Sequence, residues 1–267
     1  MLHQISIRTL YPLALAEGEG MGTAYEYFAK RLILADWLRS KTKPRRLLIA
    51  GLPEKYGTSL DFLQLAADLE TAVTIVDERP QALARAAEAL DEVKRAGQLQ
   101  IVEPEFKLVR DIGEFPEIVG NYDLALSCEV LQRIAAARRP RFVDRLMQRT
   151  ARAAIFVPNN DNPAHTNLSR LSGLRLTELE AVVSQGLDSL EVEAFNTFVR
   201  TGYVDMPPFP PGITRSKEQR EHASTGTGEA LAMWGLGYYA RLERWFPNGW
   251  RRRKSHIIFA FLDNSQR

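Results

Sequence analysis

From Arg45 to Pro158 the chain alternates between two hydrophobic periods. Short, continuous apolar runs over 47–51, 72–76, 99–102, 122–127 and 153–157 read as strands buried on both faces, as parallel strands are when helices cover them. Between them the period lengthens. Leu60, Leu63, Leu65, Ala66 and Leu69 fall on one side of a helix whose start Thr58 or Ser59 can cap. Pro80 opens a second helix, with Leu83, Ala86, Ala87, Leu90 and Val93 as its buried stripe and Gly97 at its end. Pro140 opens a third, carrying Phe142, Val143, Leu146 and Met147. Strand and helix in this rhythm predict right-handed crossovers and an α/β, doubly wound, mostly parallel sheet.

The flanks differ from this middle. Residues 1–43 hold Glu17-Gly18-Glu19-Gly20-Met21-Gly22 and then a helical pattern over 24–38, an N-terminal extension that can serve as a lid. The core is expected over 44–199, with a helix over 176–183 and a strand over 190–199. A cap of helices and loops is expected over 200–254, opening with Pro207-Pro208-Phe209-Pro210-Pro211-Gly212, whose prolines deny a sheet its donors. A polar helix over 217–221 and an aromatic-rich helix over 230–246 follow. Residues 255–267 supply a final core strand, 255–262, and a tail.

The 267 residues carry 35 Lys and Arg against 33 Asp and Glu, a balance that argues against a nucleic-acid binder held by an overall field. Cys128 is the single cysteine, so an intrachain disulfide and a thiolate zinc cluster are excluded. His3, His165, His222 and His256 show no metal-ligand spacing. No apolar run reaches the ~18–20 residues of a spanning helix. Arg8, Glu17 and Glu19 break the first apolar stretch, so no signal-peptide core is present and a cytoplasmic protein is expected. Oligomeric state is not legible.

In an open parallel sheet, ligands gather beyond the carboxyl ends of the strands. The first strand exits into Gly51-Leu52-Pro53-Glu54-Lys55-Tyr56-Gly57, which a plain strand-to-helix turn explains as well as a ligand cradle does. Asp77 and Glu78 follow the second strand. Asp77 is placed to accept the hydroxyls of an adenosine ribose, and Glu78 to face the dipole of the helix opened by Pro80. The GxGxxG pattern of dinucleotide sites is absent.

The fourth strand and its exit read Tyr122-Asp123-Leu124-Ala125-Leu126-Ser127-Cys128-Glu129-Val130-Leu131, followed by an amphipathic helix and an apolar strand ending in Pro158-Asn159. Over residues 43–160 this resembles the class I S-adenosylmethionine-dependent methyltransferases. The resemblance implies a Rossmann-like methyltransferase fold, a seven-stranded sheet closed by an antiparallel pair, filled here by 190–199 and 255–262. It implies S-adenosyl-L-methionine as cofactor: Gly51, Leu52 and Pro53 against its methionine part, Asp77 on the ribose, Asp111 beside the adenine, and Ser127, Cys128 and Glu129 on the floor. The implied reaction is methyl transfer to an oxygen, nitrogen or carbon of a small molecule. Two positions depart from the family pattern. Ile49 stands where an acid is usual, and Gln132-Arg133 where Glu-His is common, leaving open a member that binds cofactor without turnover.

His165, in the loop after the fifth strand, is the candidate general base, since imidazole titrates near neutrality; a loop histidine bonded to backbone is the alternative. Asn159 and Asp161 either orient the acceptor or form turns. Asp161 is the one carboxylate placed for magnesium, too few for a metal site. Tyr25 is the lid residue facing the substrate, or part of a helix packed on the sheet edge. Cys128 reads as a small buried residue rather than a nucleophile. Trp234, Trp245 and Trp250 stand among Arg241, Arg244, Arg251, Arg252, Arg253 and Lys254. That pattern is a solvated face with aromatic anchors, or a surface for an anionic acceptor, a membrane or RNA; a small-molecule acceptor is expected over either macromolecular partner.

Overall fold

The computed structural model describes residues 6–54, 57–115, 118, 120–188, 197–208 and 227–264. Seven strands, β1 (Arg46–Ala50), β2 (Ala72–Asp77), β3 (Glu105–Leu108), β4 (Leu124–Cys128), β5 (Arg152–Pro158), β6 (Thr197–Val204) and β7 (Ile257–Asn264), form one sheet in the order β3-β2-β1-β4-β5-β7-β6. All pairings are parallel except those of β7, which runs antiparallel to both β5 and β6. The expected doubly wound sheet with an antiparallel closing pair is what forms.

The period of two sorts side chains into two cores. Leu47 and Ile49 of β1 face a layer built from α1 (Ile7–Ala16), α2 (Met21–Leu38), α3 (Leu60–Asp68) and α4 (Pro80–Arg95). Leu48 and Ala50 face α5 (Arg139–Arg149) and α7 (Leu176–Asp188). The short α6 (Pro163–Ser169) follows β5, and α8 (Thr227–Leu242), one 3₁₀ turn and α9 (Asn248–Lys254) lie between β6 and β7.

Three expectations need correction. The apolar run over 99–102 is not a strand: Leu99 is buried in loop, Val102 is exposed, and β3 forms later at Glu105–Leu108. The start of α3 is not capped by Ser59, which lies at φ 63 without a capping bond. Its cap is Glu17, whose Oε1 accepts from Thr58 N (3.0 Å), Thr58 Oγ1 (2.7 Å) and Leu60 N (3.0 Å), a carboxylate placed where helix donors are unpaired. Tyr27 also donates to Glu17, so the glycine-spaced turn is tied to the core. Finally, β6 runs on to Val204, and the excursion after it begins at Asp205. The polar helix over 217–221 and most of the proline loop lie outside the described residues.

Candidate active site

The turn after β1 requires its glycine. Gly51 sits at φ +85, and a Cβ there would lie 2.5 Å from Val130 Cγ2 and 3.2 Å from Arg133 Nη2. Across the strand ends, Asp77 is fully buried and accepts five hydrogen bonds. Leu52 N (2.7 Å), Arg79 Nη2 (2.9 Å) and Arg133 Nη2 (2.9 Å) meet Oδ2, while Arg79 N (2.9 Å) and Arg79 Nε (2.8 Å) meet Oδ1. A carboxylate offers about four lone-pair sites, so this one is saturated. Burial alone would raise the Asp77 pKa, but Arg79, Arg133 and the Leu52 amide outweigh it and hold the group below the usual carboxylate range.

Arg79 also donates to Leu52 O (2.8 Å) and Pro53 O (3.2 Å), closing the turn from outside. Glu78 does not serve α4 as expected. Its Oε2 accepts from Ile112 N (2.9 Å) and its Oε1 from Arg133 (3.0 Å), because Arg133 draws it sideways along the strand tips. Asp111 caps its own turn through Gly113 N (2.8 Å) and pairs with Arg138. Ser127 is buried and donates to Ala50 O (2.9 Å), stitching β4 to β1.

A second cluster stands over the ends of β4 and β5, beneath α2. Lys30, 2% exposed, reaches Glu26 (2.8 Å), Asp61 (3.0 Å) and Cys128 Sγ (3.7 Å). Burial opposes its charge, yet Asp61 and then Glu26 outweigh it and raise its pKa well above the ordinary lysine value. The Cys128 thiol is pushed up by burial despite Lys30, so it stays protonated and is no nucleophile. Glu129 follows at φ 55, its amide bonded to Phe156 O (3.0 Å). Burial, with Glu26 nearby, lifts its carboxyl to about 7.

The same space receives two residues from the far edge of the sheet. Val204 and Ile257 pair across β6 and β7, which sets Asp205 opposite His256. His256 N donates to Asp205 O (2.7 Å), and its Nδ1 lies 3.0 Å from Asp205 Oδ2. Burial lowers the His256 pKa, but Asp205, then Glu26 and Glu243, outweigh it and raise the value above 6.5. With Nδ1 bound to a carboxylate, Nε2 is the acceptor nitrogen. His165, on α6, stacks on this imidazole with ring centroids 4.1 Å apart. Burial and the neighbouring His256 press its pKa down to about 3. It therefore stays neutral, too weak a base for chemistry near pH 7, and the pair His256–Asp205 carries the features sought in it.

Glu243 anchors the loop after β6. It accepts from Tyr25 OH, Asp205 N (3.1 Å) and Met206 N (2.9 Å), so Tyr25 is a buried strut between α2 and this loop. Burial raises the Glu243 carboxyl to about 7. A folded-state value above the ordinary 4.5 means stability is greatest below 4.5 and is lost as pH rises through about 7. Glu243→Gln lacks that loss. Its melting temperature relative to wild type is expected to climb across this window, and a flat difference would contradict the burial of an ionisable Glu243.

Asn159 and Asp161 stand apart from this cluster. Asn159 is fully buried and its amide donates to Arg252 O (2.8 Å) and Ser255 O (2.9 Å), while Asp161 pairs with Arg252 (3.0 Å). Both brace α9 against the end of β5. Sequence reasoning missed Glu26, Lys30, Asp61, Asp205, Glu243 and His256; the signal for the dyad was the antiparallel closing pair itself, once β6 is extended to its true end. Among the described residues, no group of three or more His, Cys, Asp or Glu side chains is arranged to hold a metal ion.

Among solved structures, the chain is similar to the methyltransferase domain of bacterial CtHen1, with a TM-score of 0.52 and 14% identity over 88% of this chain and 97% of that one. It is also similar to the small RNA methyltransferase HEN1, with a TM-score of 0.50 and 14% identity over 89% of this chain and 25% of that one. No protein-family model matches the chain, and no curated protein matches it. The fold is that of the class I methyltransferases.

Proposed function

We propose that the chain transfers a methyl group from S-adenosylmethionine to a hydroxyl or amine of a small molecule, with His256 as the acceptor's base and Asp205 as its positioning residue. The observation that carries this reading is the His256–Asp205 pair at 3.0 Å, set by the β6–β7 ladder at the same strand ends as Glu129. When bound, S-adenosylmethionine supplies a methyl group on an electrophilic sulfonium. The chain's part is to orient the acceptor, hold it out of water and take its proton at His256 Nε2. Burial raises the carboxyls of Asp61, Glu129, Asp205 and Glu243 around Lys30 and His256. Such weakly ionised groups give no basic surface for a phosphate backbone, which favours a small-molecule acceptor over RNA.

The residues fit the adenosyl group in position: a glycine turn after β1, an acid at the tip of β2, and Ser127 to Glu129 after β4. They fit it in chemistry once the guanidiniums turn away from Asp77, since both oxygens are saturated by them. Arg79 is on the solvent side, with 27% of its side chain exposed, and can swing outward. Arg133 is the tighter obstacle.

Calorimetric titration with S-adenosylmethionine and S-adenosylhomocysteine tests this reading. Saturable binding is expected, lost in Asp77→Ala and tightened about tenfold in Arg133→Ala, the worth of one charge-assisted hydrogen bond removed from the competing pair. Ile49 and the saturated Asp77 motivate a second reading, a member of the fold that does not turn over. Binding of either compound without methylation of any acceptor would decide for it, whereas no heat with either, in wild type and in Arg133→Ala alike, would sink both readings.

A further inference from the structure

The helix α8 is apolar on both sides. Met233, Leu236 and Ala240 are buried against α1 and α2. On the outward side, Leu231, Trp234, Tyr238 and Leu242 form one stripe that continues into Trp245, with Trp250 beside it on α9; these side chains are 53–76% exposed. Of the ten exposed large hydrophobic residues among those described, these are six. The other four, Val102, Leu108, Phe198 and Val199, are spread over the sheet's edges. A surface helix normally keeps its outer face polar, and a contiguous apolar stripe on it marks an interaction site.

Charge says what covers the stripe. Between Leu231 and Lys254 there are six cationic residues and a single acid, Glu243, which is buried on Tyr25 and the loop after β6. Arg244 lies 5.8 Å from the Trp245 ring, and Arg252, Arg253 and Lys254 are exposed on α9. Trp250, Arg252 and Arg253, with Asp161 and Gly249, line a cleft of about 590 Å³ at this end. Tryptophan and tyrosine favour the boundary between apolar and wet phases, and a basic rim favours anionic headgroups.

We propose that the outer face of α8 and α9 docks on an anionic phospholipid surface, with Leu231, Trp234, Tyr238, Leu242 and Trp245 entering the interface and Arg252, Arg253 and Lys254 meeting the headgroups. A second copy on the same face would set like charges against each other, as a two-fold contact repeats the same patch. A nucleic acid would stack on the aromatic rings but gains nothing from Leu231 and Leu242. This inference stands independently of methyl transfer.

Vesicle flotation tests it with the full chain. Vesicles of phosphatidylcholine mixed with phosphatidylglycerol should carry the protein, with a blue shift of tryptophan emission and weakening at high salt; phosphatidylcholine alone should not. Arg253→Glu with Lys254→Glu should weaken binding by at least about tenfold, as each cation near the surface contributes materially. Trp234→Ser with Leu242→Ser should abolish the blue shift. Unchanged far-UV circular dichroism and melting in each variant separates lost docking from lost folding. Equal flotation with neutral vesicles, or none with either, overturns the proposal. So does a dimer in sedimentation equilibrium, or retention by single-stranded RNA, that disappears in the serine variant while vesicles are ignored.

Discussion

Replacing His256 with glutamine is expected to lower turnover by about 10²–10⁴-fold, the usual contribution of a general base, while leaving S-adenosylmethionine binding in place. His256 faces Asp205 across the β6–β7 ladder, His165 on its ring face, and the carboxyls of Glu26 and Glu243 within electrostatic reach. Because Asp205 raises its pKa above 6.5, the wild-type rate should rise with pH through that higher value, as the imidazole must be neutral to accept a proton. Asp205→Asn removes the raising charge. The imidazole resonance of His256 should then titrate at lower pH than in the wild type, since burial now meets less opposition, and the rate profile should move to lower pH with it. A merely structural histidine would leave the profile where it was. Wild-type turnover in His256→Gln would sink the assignment.

The second large effect concerns stability. Lys30→Ala removes the one cation that, among the described residues, is held directly against Asp61, Glu26 and Cys128, and the Asp61 side chain is only 6% exposed. An uncompensated buried carboxylate typically costs about 3–5 kcal/mol, a large share of a domain's net stability. Urea unfolding would read it directly. Lys30→Met combined with Asp61→Leu should recover most of the loss, since it removes both charges together. A single-variant loss under about 1 kcal/mol would mean that the cluster is wetter than its burial indicates.

Strands β1, β2, β4 and β5 were legible because burial on both faces leaves an unbroken apolar run. Strand β3 was not. It is an edge strand reading Glu105-Phe106-Lys107-Leu108, and edges carry charges that discourage further pairing. The apolar 99–102 run beside it was the stronger signal and the wrong one, since Leu99 is buried without pairing. At the site, Asp77 and Glu129 stood out because each lies one step from a strand end. His256 and Asp205 did not, since a strand boundary drawn at 199 instead of 204 leaves Asp205 in a loop with no partner in view. The departure at Gln132-Arg133 was visible in the sequence, but a one-dimensional pattern does not show that Arg133 reaches back to Asp77. Likewise, the sequence marks 230–246 as an aromatic-rich helix without revealing that its second apolar side faces outward.

Glu17 ties the first turn of α3 to the α1–α2 turn across 41 residues of sequence. A helix that begins a strand–helix–strand crossover thus borrows its cap from a segment outside that unit. The crossover and the N-terminal helices are for this reason one cooperative block: exchange of the Thr58 and Leu60 amide protons reports on the docking of the chain's first helices. A nick at the Gly18–Gly20 turn would be felt first at the mouth of the sheet rather than at the terminus where it was made.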